Sequence, residues 1–91
     1  MSRQSRTLTL KNKLGLHARA ATALVKLSQQ FDATIILEAK GREANADSVL
    51  GLLLLEGHQG QPVTLHCEGP DAVLALDAVA ALIDAGFDED Q

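Results

Sequence analysis

Apolar and polar residues alternate along Thr7-Leu8-Thr9-Leu10-Lys11, a period of two that predicts a strand with Leu8 and Leu10 facing inward. Asn12-Lys13-Leu14-Gly15 breaks that pattern. From Ala18 the spacing becomes helical, with Ala20, Leu24, Leu27 and Phe31 on one face and Arg19, Thr22, Lys26 and Gln29 on the other. Ala33 to Glu38 returns to β-branched content, and Lys40-Gly41 makes a turn into a short antiparallel strand from Arg42 to Asn45. Asp47 or Ser48 caps a brief helix over Val49–Leu55, which Gly57 and Gly60 end. In the next strand, Pro62 to Glu68, Val63, Leu65 and Cys67 point to the core and His66 points away. Pro70 suits the first turn of a last helix, whose stripe is Val73, Leu76, Ala80 and Ile83, with Asp77 and Asp84 opposite. Gly86 stops that helix and Phe87 folds back onto its stripe.

The order β-α-β-β-α-β-α with short connections predicts an open-faced α/β sandwich of the α+β kind, its helices on one face of the sheet. The other face, carrying Thr7, Thr9, Thr34 and His66, meets water. With no linker or repeat, residues 1–91 read as a single domain, flexible at 1–6 and at 88–91, where the acidic tail is solvated.

Composition narrows the classes. Leu, Val, Ile and Phe number 26 of 91 residues, enough for a core but one too small to enclose a deep cleft. The longest apolar run, Val49–Leu55, is far short of the roughly 20 residues a membrane helix needs. No apolar stretch follows the N-terminal charges as a secretion signal would require, so the expectation is a cytoplasmic protein with no membrane association. The lone Cys67 closes no intrachain disulfide. Without Trp or Tyr and with two Phe, there is no stacking platform for nucleic acid. All eight basic residues precede residue 43, where only Asp32 and Glu38 oppose them, while residues 43–91 hold ten acids and no base. Net charges of +6 and −10 on the two segments predict a bipolar molecule whose basic side draws anions.

His17 falls at the N-cap of the first helix, where histidine is a poor cap, and Arg19 adds a cation inside the first turn. The helix dipole prefers an acid there by about 0.3–1 kcal/mol, so folding alone does not account for the pair. An anion absent from the sequence does. A phosphoryl group fits, held by the backbone N–H groups of Ala18, Arg19 and Ala20 and by the guanidinium of Arg19. The positive surroundings disfavour a second proton on His17 and leave a ring nitrogen free for attack on phosphorus. No general base and no acidic magnesium site stands beside His17 in the sequence, which favours relay of the group over hydrolysis.

Leu14-Gly15-Leu16-His17-Ala18-Arg19-Ala20-Ala21 resembles the phosphorylation motif of the HPr family of phosphocarrier proteins. Asp47 to Leu55 resembles that family's second helix, and the likeness covers essentially the whole chain. Asn12-Lys13-Leu14-Gly15 and Gly86-Phe87-Asp88-Glu89-Asp90 are most similar to its nitrogen-related branch. The resemblance implies a four-stranded antiparallel sheet with three helices on one face. It further implies that His17 takes phosphate on Nδ1 from an enzyme I homologue, charged by phosphoenolpyruvate, and passes it to an enzyme IIA homologue. It implies that Arg19 stabilises the phosphoryl group and that the first two helices form the docking surface, here Leu16, Ala20, Val49, Leu50 and Leu53. Ala20 departs from the pattern, which usually has proline there.

Ser48 matches a serine that a kinase phosphorylates in some HPr proteins, although capping alone explains it. About two of the large aliphatics of the second helix should be exposed for docking. His66 and Cys67 point to opposite faces and cannot share an ion, so no metal or cofactor is expected. The expected form is a monomeric carrier. Three rival readings stay open: the sugar-related branch of the same family, a regulatory module switched by phosphorylation, and a small-ligand sensor.

Overall fold

The computed structural model describes residues 3–89. Its elements are β1 (Gln4–Thr9), α1 (Ala18–Ser28), β2 (Thr34–Ala39), β3 (Arg42–Asn45), α2 (Val49–Leu54), β4 (Pro62–Glu68) and α3 (Ala72–Asp84), then a short turn over Gly86–Asp88. The four strands form one antiparallel sheet in the order β1-β4-β2-β3. The element order and the open-faced arrangement are those the hydrophobic periodicity predicts.

The core lies between the sheet and the helices. Ile35, Leu37, Val63, Leu65 and Cys67 enter it from alternate strand positions, because successive side chains of a strand leave on opposite faces. They meet Ala20, Ala21 and Leu24 of α1, Leu52 of α2 and Ala75, Leu76, Val79 and Ile83 of α3. The small residues of α1 and α3 let those helices lie close to the sheet. Thr7, Thr9 and Thr34 are exposed on the far face as expected, with Thr7 Oγ1 3.1 Å from Thr64 Oγ1 across the strand pair.

Several boundaries move. The first strand begins at Gln4, so Gln4, Ser5 and Arg6 of the segment expected to be flexible pair with Cys67, His66 and Leu65 of β4. Leu10 lies just past β1 yet is fully buried, its backbone bonded to Gln61 and Gly60. Of the expected flexible ends, residues 1–2 and 90–91 lie outside the described residues. α3 begins two residues after Pro70, and its buried face is centred on Ala72, Leu76, Val79 and Ile83. Val73, a hundred degrees round from Ala72, is 56% exposed instead of buried. Phe87 folds into the core as expected, 6% exposed.

The fold mixes part of the two-sided charge of the sequence. β1 lies beside β4 and packs beneath α3, which brings early cations to late acids: Arg3 to Glu68 at 3.6 Å, Arg6 to Asp77 at 3.1 Å and Lys11 to Asp84 at 3.5 Å. Arg42 likewise stands 3.8 Å from Glu56. These exposed pairs are each worth about 0–1 kcal/mol and offset part of the charge separation that the sequence suggests. Among the described residues, no helix is long and apolar enough to cross a membrane.

Candidate functional site

The loop from Asn12 to His17 is built by constraints from three directions. Gly15 has φ +63°, and a Cβ there would stand 2.4 Å from the Gly57 carbonyl oxygen and 2.7 Å from His58 Cα. Only glycine fits both the left-handed conformation and that approach. The Leu16 N–H donates to the Gly57 carbonyl at 3.1 Å, tying the loop to the chain that leaves α2. Asn12, fully buried, donates from Nδ2 to the Gly15 carbonyl at 2.7 Å.

These contacts deliver His17 to the N-cap of α1 with extended backbone, φ −81° and ψ 179°, and its side chain makes no capping bond. The first intrahelical bond runs from the Ala21 N–H to the His17 carbonyl at 2.9 Å. The N–H groups of Ala18, Arg19 and Ala20 therefore precede the helix ladder, at the positive end of its dipole. No acid lies in the first turn. Arg19 is exposed and, with Ala18, Thr22, Ala23 and Lys26, lines a shallow open groove along α1. The His17 imidazole is 24% exposed, enough for a reacting group to reach it.

The structure adds a group that the sequence reading placed in solvent. Glu89 turns back over the loop: its Oε1 accepts from Asn12 Nδ2 at 2.8 Å and its Oε2 accepts from His17 Nε2. The Glu89 side chain is only 7% exposed, so the expectation of a solvated tail fails for this residue. Burial pushes the Glu89 carboxyl up. The hydrogen bonds from Asn12 and His17 and the charges of His17 and Arg19 outweigh that and hold it below its ordinary value. Asn12 and Glu89 are thus the site residues that sequence reasoning missed. No local signal marks either one: Asn12 stands between Lys11 and Lys13, and Glu89 lies in an acidic run.

The expected docking residues divide. Leu16 and Ala20 are 4% and 1% exposed, so they support the loop and α1 from beneath and offer no surface. Val49 and Leu53 are half-buried, and Leu50 is 67% exposed. With Leu54 at 61%, α2 exposes the two large aliphatics expected of it, and Leu14 in the loop before α1 is 64% exposed. Ser48 caps α2, its Oγ accepting from the Gly51 N–H at 3.0 Å.

His66 and Cys67 separate as expected. Burial pushes the Cys67 thiol up to about 11, which makes it an inert core group. His66 lies on the open face with Nε2 2.8 Å from Glu38 and Nδ1 2.7 Å from Ser5. Glu43 joins Glu38 and His66 there, their ligand-type atoms within 4.8 Å of one another, while Arg3 approaches Glu43 at 4.0 Å.

Residues 4–85 match the family model PTS-HPr, described as the PTS HPr component phosphorylation site. The chain is 53% identical over 89 residues to the phosphocarrier protein NPr of Shewanella violacea, covering 98% of each. It is 46% identical to the phosphocarrier protein NPr of Escherichia coli K12 over 92% of this chain and 94% of that one. Among solved structures, HPr-C-His from Thermoanaerobacter tengcongensis superposes with a TM-score of 0.91 at 36% identity, covering 97% of this chain and 99% of that one.

Proposed function

Because the chain belongs to the HPr family of phosphocarrier proteins, we propose that His17 accepts a phosphoryl group on Nδ1 from an enzyme I homologue and hands it to an enzyme IIA homologue. The observation that carries this reading is a histidine that occupies an N-cap without capping, beside three leading N–H groups and a first-turn arginine. Those donors suit the charge that gathers on the phosphoryl oxygens, and Arg19 adds a charge-assisted donor. The exposed Leu14, Leu50 and Leu54 supply apolar contact area, and the chain leaving α2 packs against the His17 loop, so docking and transfer share one end of the molecule.

The names of the similar proteins favour the nitrogen-related branch. In this reading the protein works in the cytoplasm as one monomeric domain, carries the group without a cofactor, and turns over nothing by itself. Capping is role enough for Ser48.

The test is incubation with phosphoenolpyruvate and enzyme I homologues of the nitrogen and sugar branches, followed by intact mass and peptide mapping. One phosphoryl group on His17, gained faster from the nitrogen-branch enzyme, is expected. Failure to gain it from either enzyme, or gain on another residue, overturns the assignment. Faster gain from the sugar-branch enzyme reverses the branch.

A further inference from the structure

Resting on the reading of His17 as phosphoryl acceptor, we propose that Glu89 is its positioning residue. Its carboxylate keeps the ring proton on Nε2 throughout the cycle, so that Nδ1 takes and releases the phosphoryl group without exchanging a proton with solvent.

Glu89 reaches His17 from 72 residues away, and its other oxygen is held by Asn12, which also holds the Gly15 carbonyl. One buried amide therefore braces both the loop that carries the nucleophile and the carboxylate that faces it. The chain makes a costly turn to get there. Gly86, Phe87 and Asp88 have φ +64°, +58° and +59°, left-handed backbone that is unfavourable for the two with side chains. Strain of this kind persists where surrounding contacts over-determine it, and here buried Phe87 on one side and bound Glu89 on the other do so. A solvated tail would have no need of the turn.

The proton assignment follows from donor and acceptor counts. An ionised carboxylate has no hydrogen to give, so the proton in its bond to Nε2 is the ring's. A neutral imidazole has one N–H, which leaves the lone pair on Nδ1. That lone pair forms the new bond to phosphorus as the bond from phosphorus to the donor breaks, its electron pair leaving with the donor. The ring then holds phosphorus on Nδ1 and hydrogen on Nε2, a cation that Glu89 faces on the far side from the phosphoryl group. On transfer to the acceptor, the N–P pair returns to Nδ1 and the ring departs as neutral imidazole. Were the Nε2 proton lost in between, the leaving group would be an imidazolate, a much poorer one.

The experiment uses the full chain with histidine-15N labelling, as wild type, Glu89→Ala and Glu89→Gln. Long-range 1H–15N spectra read the His17 tautomer, and stopped reactions with phosphorylated enzyme I homologue and with enzyme IIA homologue read both transfers. Wild type should show a protected Nε2–H and an unprotonated Nδ1. In Glu89→Ala that protected proton should be lost and both transfers should slow about tenfold, the size of one charge-assisted hydrogen bond. Glu89→Gln keeps an acceptor oxygen without the charge, so it should restore the tautomer and acceptance while donation stays slow. The inference is overturned if Glu89→Ala, folded by its amide spectrum, keeps the wild-type tautomer and both rates within about twofold. It is also overturned if Glu89→Gln fails to restore the tautomer. Should wild type never be phosphorylated on His17, the functional reading falls instead, since the tautomer of the unphosphorylated protein is measured without any transfer.

Discussion

Two histidine–glutamate pairs of the same composition stand at different places in this molecule. His17 with Glu89 closes the loop before α1, and His66 with Glu38 bridges β4 and β2 on the open face of the sheet. Their ring exposures are similar, 24% and 15%. What separates them is the second ring nitrogen. In His66 it is bound to Ser5, so both nitrogens serve the sheet. In His17 it makes no capping bond and lies where a helix begins. A carboxylate beside an imidazole therefore does not by itself tell the two apart; the setting of the second ring nitrogen does.

The sharpest way to break the comparison is to remove each ring in turn. His17→Ala should abolish phosphorylation by the enzyme I homologue, while His66→Ala should keep the wild-type rate within about twofold, losing only about 1 kcal/mol of stability with its hydrogen bonds. Label on His17→Ala, seen by intact mass, would dissolve the distinction. Arg19→Met should next lower the rate of acceptance about tenfold or more, because a charge-assisted donor to the phosphoryl oxygens is lost. Arg3→Met, beside the His66 cluster, should leave that rate as it is.

Glycine substitutions compare the two regions by stability. Gly15→Ala should cost about 3 kcal/mol or more, from left-handed backbone plus a contact no Cβ can make. Gly41→Ala, with φ +77° but open space around it, should cost about 1–2 kcal/mol. Urea midpoints of the two variants measure the gap, and equal values would remove the case for a tightly built loop. The smallest effect concerns pH. The Glu89 carboxyl is held below its ordinary 4.5 in the folded chain, so its contribution is present above the unfolded value and is lost as pH falls through the folded one. The stability difference between wild type and Glu89→Gln should therefore hold above about pH 5 and shrink as the pH falls below it. A difference that stayed constant in thermal melts would place Glu89 out of contact with His17.

The two histidines also show how far the chain can be read without coordinates. His66 outside and Cys67 inside follow from a period of two, because the pleat allows nothing else. His17 and Arg19 stand out because each is locally unfavourable where it sits, and a helix start is visible in the change of period from two to 3.6. The stripe on α3 is less legible. Its alanines carry little amphipathic signal, so the exact face, and the exposure of Val73, depend on how the helix seats on the sheet. Leu16 and Ala20 depart from expectation for a similar reason. Apolar residues next to a reactive group look like docking surface in one dimension and prove to be the floor of the loop in three.

By itself the sequence determined what is local: the periods that make strands and helices, the glycine that a left-handed loop demands, and an imidazole and a guanidinium at a helix start. Tertiary structure alone decided what is distant. Sheet order placed early cations beside late acids, and a left-handed turn after α3 carried Glu89 back across 72 residues to His17. The physical reason is range. Backbone propensity and side-chain periodicity act within a few residues, whereas a hydrogen bond or an ion pair acts through space and leaves no periodic trace in the order of the chain.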